Sequence, residues 1–153
     1  MLISLNKINF VFFLIWNFLA IGVFGQEVHY FNKIDSSQKR TLTQSVFNEI
    51  ELGISSSRAS AISSYLSKQT YFSLTNGVNG YYSSNQAIYL LEDFFKAYKV
   101  ISFKMQNVNL DENIPYATGV YHYDFRGKRG IARVYISLTK SGNHWKISLL
   151  TIN

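Results

Sequence analysis

The sequence contains no cysteine and a single proline, Pro115, among its 153 residues. The absence of cysteine excludes disulfide bonds, thiol catalysis and lipid attachment through a cysteine. Packing alone must therefore stabilise the fold. The scarcity of proline, combined with many Tyr, Phe and Ile residues, favours strands and a packed core over disorder.

Recognisable catalytic and cofactor motifs are also missing from the sequence. It has no nucleotide-binding loop and no nucleophile triad. The three histidines, His29, His122 and His144, are far apart and lack the carboxylate spacing of a zinc site. We therefore expect neither a metal ion nor a cofactor.

The first 25 residues have the pattern of an export signal. A short start with one cation, Lys7, precedes an almost wholly apolar run over residues 8–24, and Val23-Phe24-Gly25 places small or compact residues where signal peptidase cuts. We predict a mature protein that begins at Gln26 and is periplasmic or extracellular. An uncleaved membrane anchor is the alternative. No later apolar run is long enough to span a membrane.

The remaining chain has a moderate excess of positive charge. Without the leader, 128 residues are left, enough for one domain, with 14 basic and 9 acidic residues. Outside the cytoplasm such a surface meets anionic lipid, lipopolysaccharide or acidic glycan more readily than nucleic acid. We expect no nucleic-acid partner, although dispersed lysines can also serve solubility alone.

After an irregular lead-in, residues 26–37, the apolar spacing predicts two short helices. The first has Gly53 as its C-terminal stop, and its apolar residues are Leu42, Val46, Phe47 and Ile50. The serines at 55–57 offer an N-cap for the second. The buried stripe of the second helix is Ala59, Ile62, Tyr65 and Leu66.

A hairpin and a longer helix follow. Two stretches rich in β-forming residues, Thr70–Thr75 and Tyr81-Tyr82, flank a turn at 76–80. Ser83 and Gln86 form a capping-box pattern that opens a helix over about residues 84–99. Its apolar stripe is Ala87, Ile88, Leu91, Phe94, Phe95 and Tyr98.

The last third of the chain predicts four antiparallel strands. In the first, Ile101, Phe103 and Met105 alternate with polar residues. The predicted strands are Val100–Val108, Tyr116–Phe125, Ile131–Lys140 and Trp145–Ile152. The order of elements predicts one α+β domain over residues 38–153, with three helices packed on one face of a curved antiparallel sheet.

Several of these segments resemble a secreted family found mainly in Bacteroidetes, DUF4783, and more broadly the nuclear-transport-factor-2-like (NTF2-like) superfamily. The segments are Gly80–Ala87, Leu91–Phe95, Ser102–Lys104, Tyr116–Gly119 and Arg133–Tyr135. The resemblance covers most of residues 38–152. It implies a cone-shaped α+β fold with a pocket between the third helix and the concave sheet, and it makes a homodimer formed through the sheet one option.

His122 and Asp124 are the candidates for catalysis. They lie two residues apart on a predicted strand, so they share one side of it. The resemblance implies that a His/Asp pair lining the cone can act as general base and orienter in proton abstraction, hydration or isomerisation. Strand alternation favours a solvent-facing pair instead, because Tyr121, Tyr123 and Phe125 form the more apolar side.

Two further groups are binding candidates. The hairpin tip concentrates Arg126, Lys128 and Arg129, which can attract an anionic partner or can simply form a solvated turn. Aromatic side chains suit the mouth of a ligand pocket, although core or cross-strand packing is the alternative. The tyrosines in question are Tyr65, Tyr71, Tyr82, Tyr98 and Tyr116.

We predict a non-catalytic exported module that binds a small molecule or an envelope component. One alternative is an isomerase-like or dehydratase-like enzyme that uses His122 and Asp124, and another is a structural protein that dimerises through its sheet. The interior discriminates among them. An open cavity with an inward titratable group favours chemistry, an apolar open cavity favours ligand binding, and a packed cone favours interactions at the surface.

Overall fold

The computed structural model describes residues 36–111 and 113–153. Residues 40–153 form one compact unit, which contains the α+β fold. The predicted leader and residues 26–35 of the lead-in lie outside the described residues. Residues 36 and 37, which the sequence analysis assigned to the lead-in, are helical. Among the described residues no helix is both long and apolar enough to cross a membrane.

The first helix, α1, covers residues 36–55 and continues through Gly53, so the predicted stop was wrong. The chain leaves the helix at Ser57, whose φ of 55° is left-handed. The Ser57 N–H donates to the Ile54 carbonyl at 3.0 Å and the Arg58 N–H donates to the Gly53 carbonyl at 2.9 Å. These two bonds form a Schellman motif, built here on serine rather than glycine.

Gly53 has a packing role inside the helix. A Cβ at this position would lie 2.3 Å from Cγ2 of Ile62, which belongs to the next helix. The buried side of α1 also differs from the predicted one, because Leu42 is exposed. The buried residues are Thr43, Phe47, Ile50 and Ile54.

The second helix, α2, is only Ala59–Ile62 and passes into a 3₁₀ turn, Ser63–Tyr65. Its N-cap is Arg58, without a side-chain cap, so the serines at 55–57 do not have the predicted role. Leu66 is buried as expected but already belongs to the first strand. The predicted second helix is therefore real but shorter than its pattern suggested.

The third helix, α3, is Ser84–Ala97, and its predicted capping box is confirmed. The Ser83 N–H donates to Oε1 of Gln86 at 3.0 Å, and the Gln86 N–H donates to Oγ of Ser83 at 3.4 Å. The buried residues of α3 fall on the predicted stripe. They are Ala87, Leu91, Phe94 and Phe95.

Six strands form one curved, open sheet in the order β2-β1-β6-β5-β4-β3. Their bounds are β1 Leu66–Leu74, β2 Asn79–Ser83, β3 Lys99–Asn109, β4 Tyr116–Phe125, β5 Lys128–Ser141 and β6 His144–Ile152. The predicted hairpin and the predicted succession of four antiparallel strands are confirmed. A parallel pairing of β1 with β6, which the sequence analysis did not predict, joins the two into one sheet.

Strand β3 does not keep the predicted alternation. The register shifts between Val100 and Ser102, so Ile101 between them is 51% exposed rather than buried. A second shift lies between Met105 and Asn107. Phe103, between the two irregularities, is buried as predicted.

Helix α1 hydrogen-bonds to the free edge of β3. Oγ of Ser55 donates to the Phe103 carbonyl at 3.1 Å, and the Met105 N–H donates to Oε2 of Glu51 at 2.8 Å. The other oxygen of Glu51 forms an ion pair with Nζ of Lys104 at 2.7 Å. These contacts occupy backbone groups that an edge strand otherwise presents to solvent.

We call the side of the sheet that faces α3 the inner face and the opposite side the outer face. Along β4, Ala117 and Tyr121 are fully buried on the inner face, and Thr118 and Val120 point outward. The inner face and α3 share one continuous core. Its strand members include Phe72, Phe103, Ile136, Leu138, Leu150 and Ile152.

Candidate functional site

The space between α3 and β4, where the resemblance implies a pocket, contains a column of stacked rings. Phe94 stacks on Tyr98 with centroids 4.9 Å apart, and Tyr98 stacks on Phe125 at 4.6 Å. The guanidinium carbon of Arg126 lies over Phe125, 5.1 Å from the ring centroid. We call these four residues the aromatic column. It runs from the core to the tip of the β4–β5 hairpin.

Tyr121 closes the same region from the sheet side. Its ring lies 5.9 Å from Phe94 and 6.4 Å from Phe103, and its hydroxyl donates to the Tyr98 carbonyl at 2.7 Å. Burial raises the pKa of the Tyr121 phenol above its ordinary value. The phenol thus acts as a neutral donor that ties β4 to the end of α3.

His122 and Asp124 lie on the outer face of β4. His122 pairs in register with Ser102 on one side and with Ile131, which is 67% exposed, on the other. Oδ1 of Asp124 accepts the Gly127 N–H at 2.9 Å and so holds the hairpin turn. The inner positions of this strand, where a catalytic pair would line the cone, are occupied by Tyr121 and Tyr123.

No group of three or more His, Asp or Glu side chains is placed to hold a metal ion within residues 36–111 and 113–153. His122 has Ser102 and Ile131 as its strand neighbours, and neither can orient an imidazole as a carboxylate does. His122 and Asp124 thus lie on a half-buried part of the outer sheet surface, beside a turn.

The structure does not bring the five candidate tyrosines together. Tyr65, Tyr82 and Tyr98 pack against the core, and Tyr82 makes an edge contact with Phe72 at 6.3 Å. Tyr71 and Tyr116 lie on the outer face instead. The five tyrosines therefore do not line one pocket mouth, because three of them pack against the core and two lie on the outer face.

On the outer face, Tyr71 and Tyr116 belong to one row that crosses five strands. The residues in register are Tyr81, Tyr71, Leu149, Ser137 and Tyr116. Tyr71 meets Tyr81 edge to face at 5.1 Å, and Tyr116 stacks on Tyr135 at 5.6 Å. The Tyr71 hydroxyl donates to Oδ1 of Asn79 at 2.5 Å. Tyr135 lies two residues along β5 from Ser137, on the same face. We call Tyr71, Tyr81, Tyr116 and Tyr135 the tyrosine row.

Beside the tyrosine row, the outer face has an open depression of about 680 Å³. Its lining combines apolar surface with hydroxyl and amide groups and a single guanidinium. The residues that contribute these groups and its apolar floor include Gln106, Thr118, Val120, Arg133, Tyr135 and Thr151. Within the described part of the chain, no acidic side chain is within ion-pair distance of Arg133.

The predicted basic tip is a two-residue turn. Arg126 and Gly127 have φ values of 54° and 80°, and Phe125 pairs with Lys128, as in a type I′ hairpin. Lys128 and Arg129 already belong to β5 and are exposed. The structure thus keeps the three candidate cations within one short hairpin end.

Charge is distributed unevenly over the elements. The six strands contain eight Lys and Arg residues and one acidic residue, Asp124. Helix α3, by contrast, contains Glu92, Asp93 and Lys96. The strands therefore carry a net charge of +7, against +6 for the whole chain.

Comparison with protein families gives one match. A family model described as "Domain of unknown function (DUF4783)" aligns with residues 47–153. The match begins in α1 and includes the whole sheet. No curated protein matches the sequence significantly.

Solved structures show the same fold. A DUF4783 family protein from Bacteroides uniformis superposes with a TM-score of 0.63 at 17% identity, covering 69% of this chain and 94% of that one. A DUF4783 family protein from Bacteroides ovatus gives 0.60 at 17% identity, covering 68% and 90%. A protein named Rd1NTF2_04 with long sheet gives 0.59 at 12% identity, covering 72% and 98%. The fold is therefore NTF2-like.

Proposed function

The chain belongs to the DUF4783 family, and from that premise we propose that it is an exported, non-catalytic module that binds an anionic component of the cell envelope. The observation that carries this proposal is the outer-face depression, in which the Arg133 guanidinium has no acidic partner among the described residues. Unpaired guanidinium groups bind carboxylates and phosphates with two parallel hydrogen bonds.

The filled interior supports binding at the surface over chemistry within the cone. Phe94, Tyr98 and Tyr121 occupy the space that an inner ligand would need. His122 and Asp124 are on the other face, and the Asp124 carboxylate holds the turn at Gly127. This geometry favours a binding role over an isomerase-like or dehydratase-like reaction.

The charge distribution supports an anionic partner. Arg129 and Arg133 both lie on the outer side of β5, roughly 14 Å apart at the rise of an extended strand. The tip adds Arg126 and Lys128 at the same end of the sheet. A surface with several cations and little acidic charge attracts polyanions over a distance set by the salt concentration.

Export is part of the proposal and rests on the leader-like residues 1–25. Expression in a Gram-negative host, followed by cell fractionation and mass spectrometry of the intact protein, tests it. The expected product is outside the cytoplasm and begins at Gln26. An intact chain that begins at Met1 in the soluble cytoplasmic fraction would contradict export.

Retention on immobilised lipopolysaccharide, measured at several salt concentrations, tests the anionic partner. The variants are Arg133→Glu and the triple reversal of Arg126, Lys128 and Arg129 to Glu. The matched control is Lys96→Glu on the solvent side of α3, where Lys96 is 73% exposed. We expect the sheet variants to lose retention and the control to keep it. Equal retention of all variants would refute the proposal.

A further inference from the structure

The outer face presents aromatic side chains as well as positive charge, and the aromatic side chains indicate which class of anionic ligand it binds. We propose that the anionic component bound there is an acidic polysaccharide, with sugar rings on the tyrosine row and acidic groups at Arg133. This inference rests on the proposed function and specifies its ligand.

The tyrosine row has the length of an extended binding track, with Tyr81 and Tyr135 exposed and Tyr71 and Tyr116 half-buried. Tyr81, on edge strand β2, is 71% exposed, and Tyr116 lies four strand positions away. At the usual spacing between strands, their backbones are roughly 19 Å apart. A short compact ligand would use only part of such a track, whereas a linear chain would use all of it.

The chemistry between the rings matches a sugar. One face of a pyranose ring presents C–H groups with partial positive charge, which pack on the electron-rich face of an aromatic ring. Hydroxyl and amide side chains, which can both donate and accept hydrogen bonds, surround the tyrosines. On the outer face these are Ser73, Asn79, Gln106, Thr118 and Thr151.

Arg133 gives the track its charge selectivity. It lies two residues from Tyr135 on the same side of β5, about 7 Å along the strand. Tyr135 in turn stacks on Tyr116, so a chain that follows the rings passes the guanidinium. A carboxylate or sulfate on the sugar can then pair with Arg133.

Charge also argues against a second copy of this protein as the occupant. Asp124 is the single acidic residue of the six strands, and its carboxylate is engaged by the Gly127 N–H. Two outer faces pressed together would bring guanidinium groups near each other without compensating acids. An anionic chain has the complementary charge.

The test compares three polymers by isothermal titration calorimetry on the full mature protein. Polygalacturonate carries sugar rings and charge, dextran carries sugar rings alone, and inorganic polyphosphate carries charge alone. The variants are Tyr81→Ala and Arg133→Gln. The control is Tyr89→Ala, because Tyr89 is 69% exposed on α3, the helix that packs on the inner face, whereas the row lies on the outer face.

We expect polygalacturonate to bind more tightly than the other two polymers. Tyr81→Ala should weaken it about tenfold, the effect of losing one aromatic anchor, and leave polyphosphate unchanged. Arg133→Gln should weaken both polyanions, and Tyr89→Ala neither. This pattern supports the polysaccharide proposal.

Other patterns overturn it in distinguishable ways. Equal binding of both polyanions, with no effect of Tyr81→Ala, would leave the anionic partner in place and reject the sugar. Equal binding of dextran and polygalacturonate would reject the acidic group. A dimer by light scattering that Tyr81→Ala dissociates would show that a second copy covers the face. Failure to bind either polyanion would reject the proposed function as well.

Discussion

The two faces of strands β4 and β5 are built from alternate residues of the same segments, yet they have opposite properties. On the inner face Tyr121 and Ile136 are fully buried, whereas on the outer face Ile131 and Arg133 are exposed. The inner face meets α3 and stabilises the fold by burial. Exposed positions of the outer face bury little area, so substitutions at them should cost little stability. Substitutions on the two faces should therefore have separable effects.

The largest expected effect comes from the centre of the inner core. Phe94→Ala removes a fully buried ring that contacts Tyr98 and Tyr121, and should lower the free energy of unfolding by about 3–5 kcal/mol. Urea denaturation measures this loss. Tyr89→Ala, on the exposed side of the same helix, should change stability by less than about 0.5 kcal/mol. Similar losses of stability for both variants would contradict the view that the buried core between α3 and the inner face stabilises the fold.

Adjacent residues of β5 sharpen the comparison. Gly130 lies under the Tyr123 ring, and a Cβ there would be 2.4 Å from Cζ of Tyr123. Gly130→Ala should therefore destabilise the protein by about 1–3 kcal/mol through overpacking. Ile131→Ala, one residue later on the outer face, should stay within about 0.5 kcal/mol of the original. Thermal unfolding of the two variants measures these changes in stability. A larger loss of stability for Ile131→Ala than for Gly130→Ala would contradict the assignment of the two residues to their faces.

Tyr121→Phe tests the hydrogen bond that joins β4 to α3. Loss of the bond to the Tyr98 carbonyl should cost about 1 kcal/mol at neutral pH. Because the folded state raises the pKa of this phenol, its contribution is present below the unfolded tyrosine pKa of about 10 and is lost as the pH rises further.

Unfolding free energies at neutral pH and at about pH 11 measure that dependence. The original protein should lose more stability between the two than Tyr121→Phe does. Parallel losses in both proteins would show that Tyr121 is not the group responsible.

The smallest effect is expected on the outer face, at Asp124. Asp124→Ala removes the acceptor for the Gly127 N–H and should destabilise the turn by about 0.5–1 kcal/mol. Asp124→Asn keeps an acceptor and should recover most of the loss. If Asn is as damaging as Ala, the negative charge rather than the hydrogen bond matters at this position.

Local signals predicted the elements of this fold well. The Ser83–Gln86 capping box and the apolar spacing from Ala87 to Phe95 identified α3, because both depend on neighbours within one helical turn. The hairpins could also be predicted, because glycine marks tight turns and Gly77 and Gly127 adopt positive φ values there. The α+β class follows from the order of these elements.

Features that depend on distant or irregular contacts could not be predicted from the sequence. The parallel pairing of Phe72 with Leu150 joins segments 78 positions apart, and no local pattern specifies it. The bulge beside Ile101 reversed the side on which that residue lies. The end of α1 at Ser57 lacks the glycine that normally marks a left-handed residue.

The candidate site shows the same division. Strand alternation predicted that His122 and Asp124 face away from the apolar side of β4, and the register agrees. The tyrosine row could not be predicted, because Tyr81 and Tyr116 come into line only through three intervening strands. The sequence analysis grouped Tyr65, Tyr82 and Tyr98 with Tyr71 and Tyr116, but these three belong to the core.

The contacts of Ser55 and Glu51 with β3 have a consequence for aggregation. They occupy two backbone groups in the middle of β3, which makes that sheet border less available than β2 to another strand that adds by backbone pairing. If two molecules paired through their β2 strands, both of these edges would be used. Assembly would then stop at a dimer and would not extend into fibrils. Removing the Glu51 and Ser55 side chains would leave both edge strands, β2 and β3, able to pair with another molecule. Two pairing edges per molecule are the minimum for open-ended polymerisation.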